Sequence, residues 1–229
     1  MIFLDPFNLI QLFLWIAVVT VLFIFSYMNF APIWKEEEIK KNFNITVGLI
    51  FIGLGFLRLL LIFHDYFVIF YQNPIIWYLA HVFVFIFAIP FVVWLENQVI
   101  KTSKYIISII ATSLFSVYII GTILVGFDVL IMQILIMPAF GTIILAILCT
   151  YIYLIIKSGG EIRKRSIYVL IGIFSLTLFW FMHWFFGPLG FFPIPTLKDI
   201  IAIVSPIGII ISGYIGSLGL HFRPEILKS

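Results

Sequence analysis

Charge is what this sequence has least of. Asp, Glu, Lys and Arg make up 10% of its 229 residues, against about 25% in an ordinary soluble domain. Hydrophobic residues make up 64%, so the apolar surface cannot be hidden from water in one core. A soluble enzyme, a nucleic-acid binder and a disordered regulator are all excluded, and the lipid bilayer becomes the main solvent. Cysteine is almost missing as well. Cys149 stands alone inside an apolar run, which excludes an intramolecular disulfide, a CxxC redox pair and a thiolate zinc site. Histidine occurs four times, at His64, His81, His183 and His221, so any metal or haem site has to be assembled from these. A secretory leader is not expected at the start. Asp5 is the only charge before the first apolar run, the run is too long, and no small-residue cleavage motif follows it. The loops are short, no appended soluble domain is expected, and no internal repeat is visible.

What the sequence has in plenty is long apolar runs. A helix needs about 20 apolar residues to cross the hydrocarbon, and the breaks marked by charge, Pro, Gly or Asn leave seven such runs. They cover about 7–34, 44–71, 75–95, 104–126, 130–156, 166–187 and 199–221. None alternates polar with apolar residues, which excludes barrel strands, and a helix pairs its own backbone groups within lipid. The expected fold is all-α, a seven-transmembrane helix bundle forming one integral membrane domain over 1–229. Lys and Arg set its expected direction. The first, third and fifth gaps and the tail hold eleven of the thirteen basic residues, while the opposite side holds only Lys198. The positive-inside rule then puts the amino terminus outside and the carboxyl terminus in the cytoplasm of a multi-pass protein of the cell membrane.

Against that background the few polar residues inside the runs stand out. Arg58 lies near the middle of the second helix, where insertion costs on the order of 2.5–3.5 kcal/mol. Asp65 follows seven residues later, on the same face and about 10 Å along the axis, so direct pairing requires Arg58 to stretch. His64, His81 and His183 fall on three different helices, all roughly 6–11 Å below the expected outer boundary. His64 is about 120° around its helix from Arg58 and is expected to face a neighbouring helix or the lipid boundary. Three imidazoles at one depth suit interhelical hydrogen bonds, zinc, haem or a proton-sensing role, but no HxxxH or HExxH spacing selects a metal.

The outer half of helix six is aromatic, with Trp180, Phe181, Trp184, Phe185 and Phe186 around His183. The apolar segment after it, from Gly187 to Pro195, is expected to fold back as a lid. His221 reads as an interfacial anchor. Helix seven carries Ser205, Gly208, Ser212, Gly216 and Gly219 at spacings of three and four, a stripe that lets a neighbouring backbone approach. Gly48 and Gly55 on helix two suggest the same. Thr112 and Ser116 on helix four, and Thr142, Ala146, Cys149 and Tyr153 on helix five, are expected to face the bundle interior.

Seven helices with an external amino terminus suggest microbial rhodopsins, but helix seven contains no lysine for a Schiff base; Lys198 lies only at its mouth. The seven-helix hydrolases related to adiponectin receptors carry HxxxH on the final helix, and this chain does not. The layout is similar to the seven-helix sensor regions that precede bacterial and archaeal signalling modules, in architecture only. The expected function is therefore sensing or ligand binding without catalysis. A small-molecule or lipid ligand is expected near Arg58, Asp65, His81, Trp180, His183 and Trp184, and the signal is expected to pass through the basic loops to a separate cytoplasmic partner. Two alternatives stand beside it: a redox carrier with haem on two of His64, His81 and His183, and a transporter or channel subunit with Arg58 at an anionic substrate. No nucleic-acid partner is expected.

Overall fold

The computed structural model describes residues 6–31, 38–67, 73–186 and 197–220, and all regular structure among them is helical. Seven α-helices follow in order: α1 Pro6–Phe30, α2 Glu38–Tyr66, α3 Pro74–Gln98, α4 Ile106–Leu124, α5 Val129–Lys157, α6 Gly160–Phe186 and α7 Lys198–Leu220. Each is long and apolar enough to cross a membrane. Large apolar side chains cover their outer faces: Phe13 is 62% exposed, Leu124 79% and Ile156 72%. Hydrocarbon stabilises that surface and water does not. The expected lid from Gly187 to Pro195 and the His221 anchor lie outside the described residues.

Two helices begin earlier than their apolar runs. The second was expected from about 44 and starts at Glu38. The sixth was expected from about 166 and starts at Gly160. In α6 the added turn is charged, and Arg165 Nε donates to Glu161 Oε1 at 3.0 Å, four residues back. Such a pair lets a helix run on past its apolar stretch, where hydropathy gives no signal. The second helix was expected to reach about 71 and ends at Tyr66. Pro90, Pro138 and Pro206 lie inside α3, α5 and α7, each of which continues through its proline.

Local chemistry sets the remaining ends. Asn73 caps α3 by accepting from the Ile75 backbone N–H at 2.9 Å, with Pro74 at the first helical position. Gly126 and Phe127 both take positive φ, 74° and 63°, and turn the chain between α4 and α5. Asp128 then accepts from the Ile131 N–H at 2.9 Å.

The chain forms two compact units, Met1–Ile147 and Leu148–Ser229. In the first, α2 packs between α1 and α3, and α3 also meets α4. One stripe of α1 is buried, running through Gln11, Trp15, Val18, Leu22, Ser26 and Asn29. Ser26 Oγ donates to the Gly48 carbonyl of α2 at 3.0 Å. A Cβ on Gly48 or Gly55 would meet the Phe30 ring at 2.9 Å or the Phe23 ring at 3.1 Å, so these glycines do admit α1.

In the second unit α6 packs on α7, and the small-residue stripe forms the seam. A Cβ on Gly172 would meet Gly216 Cα at 2.4 Å, and one on Gly219 would meet the Arg165 carbonyl at 2.5 Å. Ser205 and Ser212 are buried in the same seam.

The expected interior faces of α4 and α5 need correction. Thr112 and Ser116 are exposed, and the buried stripe of α4 is Ser108, Ala111, Phe115, Tyr118 and Thr122. On α5, Ala146 is buried but Cys149 and Tyr153 are exposed. The hydroxyls explain part of the error. Ser116 donates to the Thr112 carbonyl at 2.9 Å, and Thr142 to the Pro138 carbonyl at 2.8 Å. A hydroxyl satisfied by its own helix can face lipid at little cost.

Candidate functional site

The polar residues of the first unit converge where the amino-terminal half of α1, the last turns of α2 and the first turns of α3 lie at the same end of an up-and-down arrangement. The centre is Arg58, which is only 2% exposed. Its guanidinium lies over the Trp15 ring of α1, with Cζ 3.5 Å from the ring centroid. Its Nη2 donates to Asp65 Oδ2 at 3.4 Å. The stretch along two helical turns therefore occurs. A desolvated cation is held by one aromatic face and one carboxylate, the two partners that offset its removal from water.

Asp65 has a second partner. Its Oδ1 lies 2.8 Å from His64 Nδ1. A carboxylate can only accept, so Nδ1 is the donor in this contact. His64 is buried, and its Nε2 has no hydrogen-bond partner among the described residues; neither does Arg58 Nε. His64 was expected to face a neighbouring helix or the lipid boundary; it is buried, and Asp65 joins it to Arg58.

On α3, His81 is buried and its Nδ1 donates to the Trp77 carbonyl at 2.7 Å, four residues back. The rings of Trp77 and His81 lie 3.8 Å apart, and Phe140 of α5 meets His81 edge-on at 6.1 Å. Of the six residues expected at the site, Arg58 and Asp65 are joined, together with His64 from the alternative set, and His81 is buried on α3, which packs on α2.

Trp180, His183 and Trp184 lie on α6 in the second unit. There the aromatic rings stack along their own helix: Phe181 on Trp184 at 6.1 Å, and Phe181 on Phe185 at 5.7 Å. Among the described residues, no group of three or more His, Cys, Asp or Glu side chains is placed to hold a metal ion.

Three residues of the first unit escaped the sequence reading. Trp15 and Trp77 looked like two more aromatics in apolar runs. The signal for Trp15 was the face marked by Gln11, Ser26 and Asn29, the rare polar residues of α1, on which it also falls. The third is Glu96, which looked like the polar end of α3. It is 3% exposed and sits at the amino terminus of α4. It accepts from the Ile107 N–H at 2.9 Å, the Ser108 N–H at 2.8 Å and the Ser108 hydroxyl. Lys104 and Tyr105, at φ 47° and 67°, turn the chain so that α4 starts on this carboxylate. An anion at the positive end of a helix satisfies donors that would otherwise be orphaned in a dry setting.

Comparison of the chain with protein-family models, with curated proteins and with solved structures finds no match to any of them.

Proposed function

We propose that the protein is a sensing or ligand-binding protein of a cell membrane, without catalysis of its own, whose site is the cluster of Arg58, Asp65, His64 and His81 between Trp15 and Trp77. Seven helices of spanning length and an apolar outer surface support the membrane setting. The basic gaps support an external amino terminus and a cytoplasmic tail. In that orientation the cluster lies in the outer half, and the basic connections face a separate cytoplasmic partner that receives the signal. Trp180, His183 and Trp184, on α6 of the second unit, are a separate proposal as ligand-binding residues.

One observation carries the reading: a buried arginine, an aspartate and two histidines are retained in the interior of helices that are otherwise apolar. Packing alone does not require them, because an apolar group of similar volume would be at least as stable. Ionisable groups kept at this depth serve a ligand, an ion or a conformational change.

The test uses the full chain in lipid nanodiscs, with its melting temperature measured against a panel of lipids and amphipathic small molecules. The double variant Arg58→Met/Asp65→Leu removes both charges together, so neither is left alone. Some members of the panel are expected to stabilise the wild-type chain by several degrees and to lose that effect in the double variant. A double variant that responds to the whole panel as the wild-type chain does overturns the proposal. A Soret band in the purified protein would transfer the site to haem ligated by two of His64, His81 and His183.

A further inference from the structure

Charge is spread unevenly over the helix ends. Between Lys157, the last residue of α5, and Arg165, in the second turn of α6, nine residues hold four cations and one anion, a net charge of +3. Arg165 is taken by Glu161 at 3.0 Å. Lys157, Arg163 and Lys164 are exposed, and among the described residues none of the three makes an ion pair or a side-chain hydrogen bond. The connection between α3 and α4 holds two exposed cations, Lys101 and Lys104.

Neighbouring residues set the depth of these cations. Ile156 is exposed immediately before Lys157, and Ile162 immediately before Arg163. Only Ser158 and Gly159 separate the two helices. Apolar side chains of this size are stabilised at the hydrocarbon boundary and not in water, so cations one residue away stand at the level of the lipid head groups. On α6, Arg163, Lys164, Ile167, Ile171 and Phe174 fall within about 100° of the helix circumference, and all five are exposed. The strip lies opposite the buried Ser166, Val169 and Gly172, of which Val169 and Gly172 meet α7. From Lys164 to Phe174 it runs about 15 Å, half of a hydrocarbon core about 30 Å thick. It therefore matches one leaflet, with cations at the depth of phosphate and an apolar track reaching the midplane.

We propose that this end of α6 is a docking surface for an anionic phospholipid, with the head group at Arg163 and Lys164, Lys157 adding to the positive field, and an acyl chain along Ile167, Ile171 and Phe174. A zwitterionic head group brings a cation of its own against these three, whereas a head group of net negative charge is complementary to them. Near a membrane surface each Lys or Arg favours an anionic lipid by about fivefold. An acidic protein partner needs cations that project beyond the head groups, and a connection of two residues does not carry them there. The proposal rests on the membrane setting and not on the ligand site of the first unit, and it assigns this one connection to lipid rather than to the cytoplasmic partner.

The experiment titrates the full chain, solubilised in a neutral detergent, with phosphatidylglycerol or phosphatidylcholine carrying the same two oleoyl chains, and native mass spectrometry counts the lipids bound. The wild-type chain is expected to bind phosphatidylglycerol at least about tenfold more tightly than phosphatidylcholine. Lys157→Gln/Arg163→Gln/Lys164→Gln is expected to bring the two within about twofold of each other. Lys101→Gln/Lys104→Gln, which removes cations from the α3–α4 connection, is expected to keep the wild-type ratio. Millimolar glycerol 1-phosphate, which carries the charge without acyl chains, is expected to leave lipid binding unchanged. A wild-type chain with no preference overturns the proposal even if the triple variant inserts or folds poorly. A preference that survives in the triple variant overturns it and leaves the surface to an acidic protein partner. An equal loss in the triple and double variants overturns it as well, because the preference then belongs to basic charge in general. Displacement of the lipid by glycerol 1-phosphate also overturns it, since a soluble phosphate ester is then the occupant.

Discussion

The first unit holds α1, α2 and α3 together around a charged and aromatic cluster, whereas the second closes α6 on α7 through bare backbone. In apolar surroundings helix association gains little from the hydrophobic effect, because lipid is as apolar as a leucine side chain. The two units meet that problem with opposite chemistries. The α6–α7 seam removes side chains so that Gly172 and Gly216 bring the chains into contact, and dispersion over a close fit supplies the attraction. The α1–α3 assembly inserts polar groups and joins them through Arg58, Trp15, Asp65 and His64. A glycine seam has one task, which is to fit. A polar cluster of this kind costs desolvation and returns it only when every partner is present. The difference separates a region built for packing from one that retains chemistry.

The sharpest way to break the polar side is Asp65→Ala. It strands the Arg58 guanidinium, whose remaining partner is then the Trp15 face. Loss of one partner of a buried pair costs about 3–5 kcal/mol, so the melting temperature of the full chain in detergent or nanodiscs should fall by the largest margin of any single substitution considered. Arg58→Met/Asp65→Leu should recover more than half of that loss. A double variant as unstable as Asp65→Ala would mean that the cluster is structural.

The glycine seam makes a smaller and more directional prediction. A methyl at Gly172 would lie 2.4 Å from Gly216 Cα and 2.9 Å from the Ser212 carbonyl, all backbone atoms that cannot rotate away, whereas a methyl at Gly216 meets only Gly172 Cα at 3.7 Å. Gly172→Ala should therefore destabilise by about 1–3 kcal/mol through overpacking, and Gly216→Ala should stay within about 0.5 kcal/mol of the wild-type chain. Equal effects at the two positions would show that α6 and α7 do not cross at this point.

How far each region was legible in the sequence follows the same division. Apolar run length marks a helix of membrane-spanning length directly, so the existence of seven helices was readable, as were the start of α3 at Asn73-Pro74 and the turn from α4 to α5 at Gly126-Phe127-Asp128. The α7 stripe was readable because a seam of small residues has to repeat at helical spacing. Arg58 and Asp65 were readable from their cost and shared face. Their partners were not, because the sequence does not say which apolar helix supplies an aromatic ring, and Trp15 is marked only by sharing a face with the rare polar residues of α1. The expected inner faces of α4 and α5 failed for a related reason. Thr112 and Ser116 carry hydroxyls, but a hydroxyl bonded to its own helix no longer behaves as a polar group that seeks the interior.

Glu96 tests whether the polar mode of assembly extends beyond the cluster, and it does so by a smaller expected loss than Asp65→Ala. The carboxylate joins α3 to the start of α4 across a turn held by two left-handed residues, Lys104 and Tyr105. Its acceptors serve the Ile107 and Ser108 backbone donors and the Ser108 hydroxyl. Glu96→Gln keeps the shape and one acceptor oxygen but turns the other end of the group into a donor facing donors, and it removes the charge that the helix terminus favours. A charge-assisted bond is worth more than a neutral one, so a loss of about 1–2 kcal/mol is expected in thermal or denaturant melts. Hydrogen exchange should rise at Ile107 and Ser108 while the α6–α7 seam keeps its protection. Exchange that rises equally in both units would mean that the junction acts on the whole protein, and the contrast between a polar first unit and a glycine-packed second unit would no longer describe two separate ways of holding helices together.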